Sequence, residues 1–293
     1  MGKNELNMSS EAEPRWTGPT VVIQPSRGWL HLNLRAVWDY RELLYFLAWR
    51  DVKVRYKQTL LGVLWIILQP FISMVVFSLL FGQLLKVPSG NVPYPVFAYA
   101  ALLPWNYFAG SLTRSSGSLV SNPALITKIY FPRLIIPLSS LLSNLVDFGV
   151  AFLVLIGLMM FYGIPLTPSI VVLPVLILLA MLTALGFGLW LSALNVRYRD
   201  VGYLVPFLIQ IWMYATPVIY GSALIPERFR FLLALNPMTT VVEGFRWALL
   251  GDASTAATPS IGLLLLSIGL VFVVLISGLI FFRRTERVFA DIV

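Results

Sequence analysis

The sequence predicts an all-α integral membrane protein with six transmembrane helices, an N-terminal amphipathic interface helix and an outer re-entrant helical pair. Three observations carry that class. Hydrophobic residues make up 58% of the 293 positions and charged residues only 12%, and the mean hydropathy is +0.84. A water-soluble domain of this size could not hide so much apolar surface. Uncharged stretches long enough to cross about 30 Å of hydrocarbon as a helix recur along the chain. Cations gather at their junctions, as in Arg50, Lys53, Arg55 and Lys57 ahead of the first stretch and Arg283, Arg284 and Arg287 after the last. That placement follows the positive-inside rule.

Residues 1–32 read as a cytoplasmic tail rich in polar residues and broken by Pro14, Pro19 and Pro25. They lack the central apolar run of a cleavable signal peptide, so insertion through internal spans is expected. Residues 33–59 alternate apolar and charged positions at helical spacing. Leu43, Leu44, Phe46, Leu47 and Val54 are expected on one side, Arg41, Arg50, Lys53 and Lys57 towards another, with Trp38, Tyr40, Tyr45 and Trp49 at headgroup level. This pattern suits a helix lying in the inner interface.

The six spans fall at about 60–85, 94–119, 134–161, 169–194, 201–220 and 259–282, within a membrane domain of residues 60–293. With both termini inside, the inner loops hold Arg114, Lys128, Arg133, Arg197 and Arg199, and the outer side holds Lys86, Arg228, Arg230 and Arg246. The opposite orientation would place most of the charge outside. In the inner loop 121–132, prolines 123 and 132 bracket helix-compatible residues, which predicts a short cytoplasmic helix. The outer connection 221–258 contains two apolar runs, each too short to cross, separated by Asn236-Pro237. A re-entrant pair is expected there, with Glu243 and Arg246 three apart on one helical face.

Several chemistries are excluded. No cysteine is present, which removes disulfides, thiolate metal sites and cysteine nucleophiles. The single histidine, His31, lies in the polar tail. The only Gly-Lys pair, Gly2-Lys3, is followed by Asn4, so a phosphate-binding loop is missing. Neither a serine–histidine–acid set nor a carboxylate cluster for metal is visible. The net charge of +8 is explained by topology and calls for no nucleic-acid partner.

Three motifs carry a family resemblance. Arg50-Asp-Val-Lys-Val-Arg-Tyr-Lys-Gln-Thr-Leu-Leu-Gly-Val-Leu-Trp-Ile-Ile-Leu-Gln-Pro70 resembles the entry to the first span of ABC exporter permeases for polysaccharides. Asn122-Pro123 to Phe131-Pro132-Arg133 is similar to that family's cytoplasmic helix, and Leu235-Asn-Pro-Met-Thr-Thr-Val-Val-Glu-Gly-Phe-Arg-Trp-Ala-Leu249 to its outer re-entrant segment. The likeness covers roughly residues 35–285 and is nearest to O-antigen export permeases, with teichoic-acid and capsule exporters close behind.

The resemblance implies a homodimer in the bacterial inner membrane with two copies of a separate ABC ATPase. The partner would bind ATP and magnesium, this chain holding no cofactor, and the cargo would be a glycan linked to undecaprenyl diphosphate. Asn122, Pro123, Lys128, Tyr130, Phe131 and Pro132 would form the surface coupled to the ATPase. Arg50, Lys53, Arg55 and Lys57 are candidates for contact with the lipid diphosphate or the inner interface. Trp105, Tyr107 and Phe108 are candidates for stacking on passing sugars, and Asn236, Pro237, Glu243 and Arg246 shape the re-entrant segment. Two competing classes share parts of the pattern: a small-molecule exporter of the same fold, and an ion-coupled secondary transporter using Asp147. Asp147, inside the third span, is either a proton or substrate contact or a structural carboxylate paired with Ser143, Asn144 or a neighbouring helix. The polar run Ser111 to Ser118 either lines a path or packs helices, and Gly186 and Gly188 are expected to permit close helix approach.

Overall fold

The computed structural model describes residues 34–57, 62, 64–128, 130–254, 261–286 and 289. The tail 1–32, His31 and the expected span limits at 60 and 259 lie outside them. Among the described residues the ordered elements are helical: α1 (Leu34–Asp39), α2 (Arg41–Lys57), α3 (Leu64–Phe77), α4 (Tyr94–Gly117), α5 (Pro123–Lys128), α6 (Ile135–Phe161), α7 (Leu173–Arg197), α8 (Val201–Ala215), α9 (Glu227–Ala234), α10 (Pro237–Leu250) and α11 (Ile261–Glu286). Among the described residues four stretches are long and apolar enough to cross a membrane: Leu64–Leu84, Ile135–Phe161, Pro168–Arg197 and Gly262–Glu286.

The six-span count therefore rests on the two remaining helices. α4 has 24 residues, and its Pro, Asn, Ser, Thr and Arg side chains lower its hydropathy. α8 has 15 residues, about 22 Å at 1.5 Å per residue, and stops at Ala215, five residues before the expected end. Thr216 is extended there, and Pro217 has no N–H with which to continue the helix.

α4 is the axis of the bundle. It packs against α3, α6, α7, α8 and α10, and every residue from Val96 to Trp105 is buried. Close packing around it depends on glycine. A Cβ on Gly188 of α7 would stand 2.4 Å from Ser115 Oγ of α4. One on Gly186 would stand 2.9 Å from Val274, and one on Gly278 of α11 would stand 2.4 Å from the Gly186 carbonyl. The two α7 glycines thus seat α4 and α11 against the same helix, in the manner of small-residue membrane contacts.

α2 buries a different face from the one expected. It follows α6, burying Leu47, Ala48 and Val52 and laying Leu43 and Leu44 on a core that includes Leu134, Ile135 and Ile136. The packed stripe runs 44, 47, 48, 51, 52, 55, which is i, i+3, i+4 spacing. Phe46 and Val54, expected beside Leu47, are instead 63% and 64% exposed. The stripe's polar members are Asp51 and Arg55, so α2 carries a cation into the bundle rather than turning all of them outwards.

α9 and α10 break at Asn236–Pro237. Asn236 caps α10 by accepting from the Met238 N–H at 3.1 Å, while its Oδ1 also accepts from Trp212 Nε1 at 3.0 Å and its Nδ2 donates to Thr216 at 2.9 Å. Trp212 packs edge-on to Phe108, well inside the bundle. The other end of α10 turns at Gly251, whose φ of 59° favours glycine. There the Ala253 carbonyl accepts from the Asn91 N–H, and Thr167 donates to the Ala248 carbonyl. The α10 N-terminus is thus deep and its C-terminus lies among the loops at one end.

Candidate functional site

A cavity of about 500 Å³ opens between the end of α2, α3, α4 and α6, with Trp65, Gln69, Asn106, Tyr107 and Thr113 on its walls. Its charged centre is assembled from three helices. Arg55 of α2 forms an ion pair with Asp147 of α6, and its remaining donors reach Ser143 Oγ at 3.2 Å and Asn144 Oδ1 at 3.4 Å. The Tyr56 hydroxyl donates to the other Asp147 oxygen at 2.5 Å. Arg114 of α4 stands 3.6 Å from Asp147 Oδ2. Burial, reinforced by the hydrogen bond to Asp147, pushes the Tyr56 phenol up to about 12. It therefore remains a proton donor to the carboxylate at physiological pH.

Of the two readings of Asp147, the structure provides the paired one, with the neighbouring helix α2 rather than Ser143 or Asn144 supplying the direct partner. Ser143 and Asn144 bind the guanidinium of Arg55, and Arg55 binds the carboxylate. A buried carboxylate is tolerable when a cation and further donors meet it. The polar run of α4 divides. Ser111, Ser115, Ser116 and Ser118 are buried in helix contacts, whereas Thr113 and Arg114 face the cavity.

The four cations expected to act together are separated. Arg55 is turned into the bundle. Arg50 pairs with Asp51 at 2.8 Å and reaches Asn122 at 3.0 Å. Lys53, over the Trp49 ring, and Lys57 lie along a second, more open hollow with Phe46, Trp49, Arg50 and Val54. The cause is geometric: residues 50, 53 and 57 share the face opposite the packed stripe, and residue 55 does not.

Trp105, Tyr107 and Phe108 are 2%, 3% and 0% exposed. Trp105 and Phe108 pack on each other, and Phe108 on Trp212, because neighbouring helices wrap α4. The flat faces of Trp105 and Phe108 are covered by other parts of the chain. Tyr107 touches the cavity and points its hydroxyl towards the Leu141 carbonyl at 3.5 Å.

At the opposite end of α4, α5 is short, six residues starting at Pro123. Ile126 and Phe131 are buried anchors, while Lys128 and Tyr130 are exposed. Pro132 is half-buried, and Arg133 donates to the Glu286 carbonyl at the end of α11. Asn122 joins α5 to two elements at once, accepting from Arg50 and donating to the Ser118 carbonyl at 2.9 Å.

On α10, Glu243 and Arg246 pair at 3.3 Å. The larger role of Arg246 went unread in the sequence. Fully buried, it donates to the carbonyls of Pro217 (2.6 Å), Val218 (2.5 Å), Tyr220 (2.9 Å) and Phe97 (3.2 Å). Its guanidinium also stacks over the Phe97 ring at 3.7 Å. It satisfies the carbonyls of the non-helical turn after α8, which have no other reason to be tolerated inside the bundle. An arginine three positions after an acid in a largely apolar helix was the available signal.

This helical arrangement, with four membrane-length apolar stretches among the described residues, defines a multi-pass membrane protein. Residues 42–250 match the model of the ABC-2 type transporter family, and the chain belongs to that family. It is 33% identical over 216 residues to the O-antigen export system permease protein RfbA of Myxococcus xanthus, covering 73% of this chain and 82% of that one. To an RfbA of Klebsiella pneumoniae it is 31% identical over 254 residues, 86% and 95% of the two chains. The polysialic acid transport protein KpsM of Escherichia coli is 23% identical over 211 residues, 69% and 78% of the two chains.

Proposed function

We propose that this chain is the membrane-spanning subunit of an ATP-driven exporter that moves lipid-linked polysaccharide, O-antigen in the first instance, out of the bacterial cytoplasm. The observation that carries the reading is its identity with O-antigen export permeases over most of both chains. The chain works as a homodimer in the inner membrane, with both termini cytoplasmic. Two copies of a separate ABC ATPase bind ATP and magnesium.

The geometry supports a division of labour. Exposed Lys128 and Tyr130, held out by buried Ile126 and Phe131, suit a surface that docks on the ATPase. The Asn122–Arg50 hydrogen bond passes displacement of that surface to α2, and Arg55 passes it to α6 through Asp147. Arg50, Lys53 and Lys57 on the open face of α2 attract the diphosphate of the carrier to the inner leaflet ahead of entry. The hairpin of α9 and α10 dips into the outer leaflet and returns, with Arg246 and Glu243 bracing its return limb.

The test is replacement. A strain lacking its own O-antigen permease but retaining the ATPase is given this chain together with its cognate ATPase. Recovery of surface O-antigen, and co-purification of the chain with the ATPase, are expected. Co-purification without recovery of O-antigen, but with recovery of a capsular polymer in the corresponding strain, would transfer the cargo assignment to the KpsM type.

A further inference from the structure

The charged centre of the cavity has an imbalance. Arg55 and Arg114 converge on one carboxylate, Asp147, and no other carboxyl group lies on the cavity wall among the described residues. Two permanent cations and one anion leave a positive charge beside the membrane-spanning helices, where uncompensated charge is costly. The two arginines are unequal. Arg55 is engaged by Asp147, Ser143 and Asn144. Arg114 has the more exposed side chain, at 38% against 17%, and approaches Asp147 only to 3.6 Å.

We infer that the cavity is an oxyanion site centred on Arg114, and that Asp147 is its internal competitor. Without ligand, the carboxylate draws Arg114 towards the Arg55 pair. A phosphate-type oxyanion entering beside Thr113 and Asn106 takes the planar fork of Arg114 from Asp147, and Asp147 keeps Arg55 and the Tyr56 hydroxyl. Two charged oxygens on adjacent faces of one guanidinium repel, so the carboxylate sets a threshold that weakly charged anions do not pass. Trp65 and Tyr107 on the same walls offer apolar faces to whatever carries the anion. That carrier being the headgroup of a lipid-linked glycan rests on the export reading; the oxyanion site itself does not.

Binding is measured on the full chain in zwitterionic nanodiscs, by 31P NMR with inorganic pyrophosphate and by native mass spectrometry with undecaprenyl diphosphate. Asp147→Asn is expected to tighten binding at least about tenfold, since a like charge a few ångströms away is removed. Asp147→Glu stays close to wild type, and Arg114→Gln loses binding. Tightening for both probes assigns a site for the free anion as well as the headgroup, and tightening for the lipid alone assigns the headgroup. Equal affinity of Asp147→Asn and wild type, or retained affinity in Arg114→Gln, overturns the inference. Should Asp147→Asn fail to fold, isotope-edited infrared spectra of the wild-type aspartates decide: pyrophosphate shifts a carboxylate band in wild type and leaves it in Arg114→Gln, whereas an unshifted wild-type band overturns the site. Oxyanion binding without O-antigen export would leave this site standing and remove only the cargo.

Discussion

Arg50 donates a 3.0 Å hydrogen bond from Nη2 to Oδ1 of Asn122, joining helices that are 72 residues apart in sequence. Asn122 is the last residue before α5, and Arg50 sits on the helix whose C-terminal end, at Arg55 and Tyr56, binds Asp147. A push on α5 therefore reaches α6 through two polar contacts and one rigid helix. Asn122→Leu, which removes the acceptor, is expected to lower export severalfold while ATP turnover persists. Asn122→Asp, which keeps an acceptor and adds charge, retains export. In a double-mutant cycle Arg50→Ala and Asn122→Leu should be non-additive, with a coupling of about 0.5–3 kcal/mol. Additive losses in export assays would separate the two residues.

The close contacts of α7 give a graded steric series. Gly278→Ala drives a methyl against the Gly186 carbonyl, and backbone cannot yield, so a loss of about 1–3 kcal/mol is expected. Gly188→Ala meets the side chain of Ser115 and should be relieved in part by Ser115→Gly. Gly157→Ala meets nothing within 4 Å and should be neutral or mildly stabilising in the middle of α6. Thermal melting of the detergent-solubilised chain ranks the three.

Arg246→Leu removes the donor to four carbonyls and the cation beside a buried carboxylate, to which Ser222 still donates. Breaking a buried ion pair on one side costs about 3–5 kcal/mol, so the variant should accumulate poorly and lose its monodisperse chromatographic peak at lower temperature. Arg246→Lys keeps charge but cannot reach carbonyls on both sides as the planar fork does, and is expected between wild type and Leu. A wild-type melting profile for Arg246→Leu would contradict the brace.

Trp105→Leu and Phe108→Leu separate packing from passage. Both rings are enclosed by neighbouring helices, so each variant should lower stability by about 1–3 kcal/mol. Export per correctly folded molecule should be unchanged. Loss of export at wild-type stability would return these rings to the conduit.

The long apolar runs were legible in the sequence because span length and hydropathy are local properties. The proline-bounded α5 and the Asn236–Pro237 break were legible for the same reason. The face of α2 was not. Phe46 and Val54 are as hydrophobic as Leu47, and only the position of α6 decides which stripe is covered. Asp147 announced a need for a partner, but the partner, Arg55, comes from 92 positions earlier, a pairing fixed by tertiary packing. Tyr56 illustrates the same limit: its raised pKa follows from burial beside Asp147, which composition does not encode. The division of Arg50, Lys53, Arg55 and Lys57 into two faces could have been read from helical spacing, had the packed stripe been placed at 44, 47, 48, 51, 52 and 55.

Under the export proposal, this chain moves a lipid-linked glycan with energy supplied by a partner ATPase. The most direct measurement uses sealed proteoliposomes containing the chain and its cognate ATPase, with undecaprenyl-diphosphate-linked O-antigen in the ATPase-facing leaflet. Transfer to the opposite leaflet is followed with a membrane-impermeant lectin. Transfer is expected to need ATP and magnesium, to persist when ion gradients are collapsed, and to fall severalfold in Asn122→Leu. Transfer driven by an ion gradient without ATP, or ATP turnover with the glycan left in its original leaflet, would contradict it.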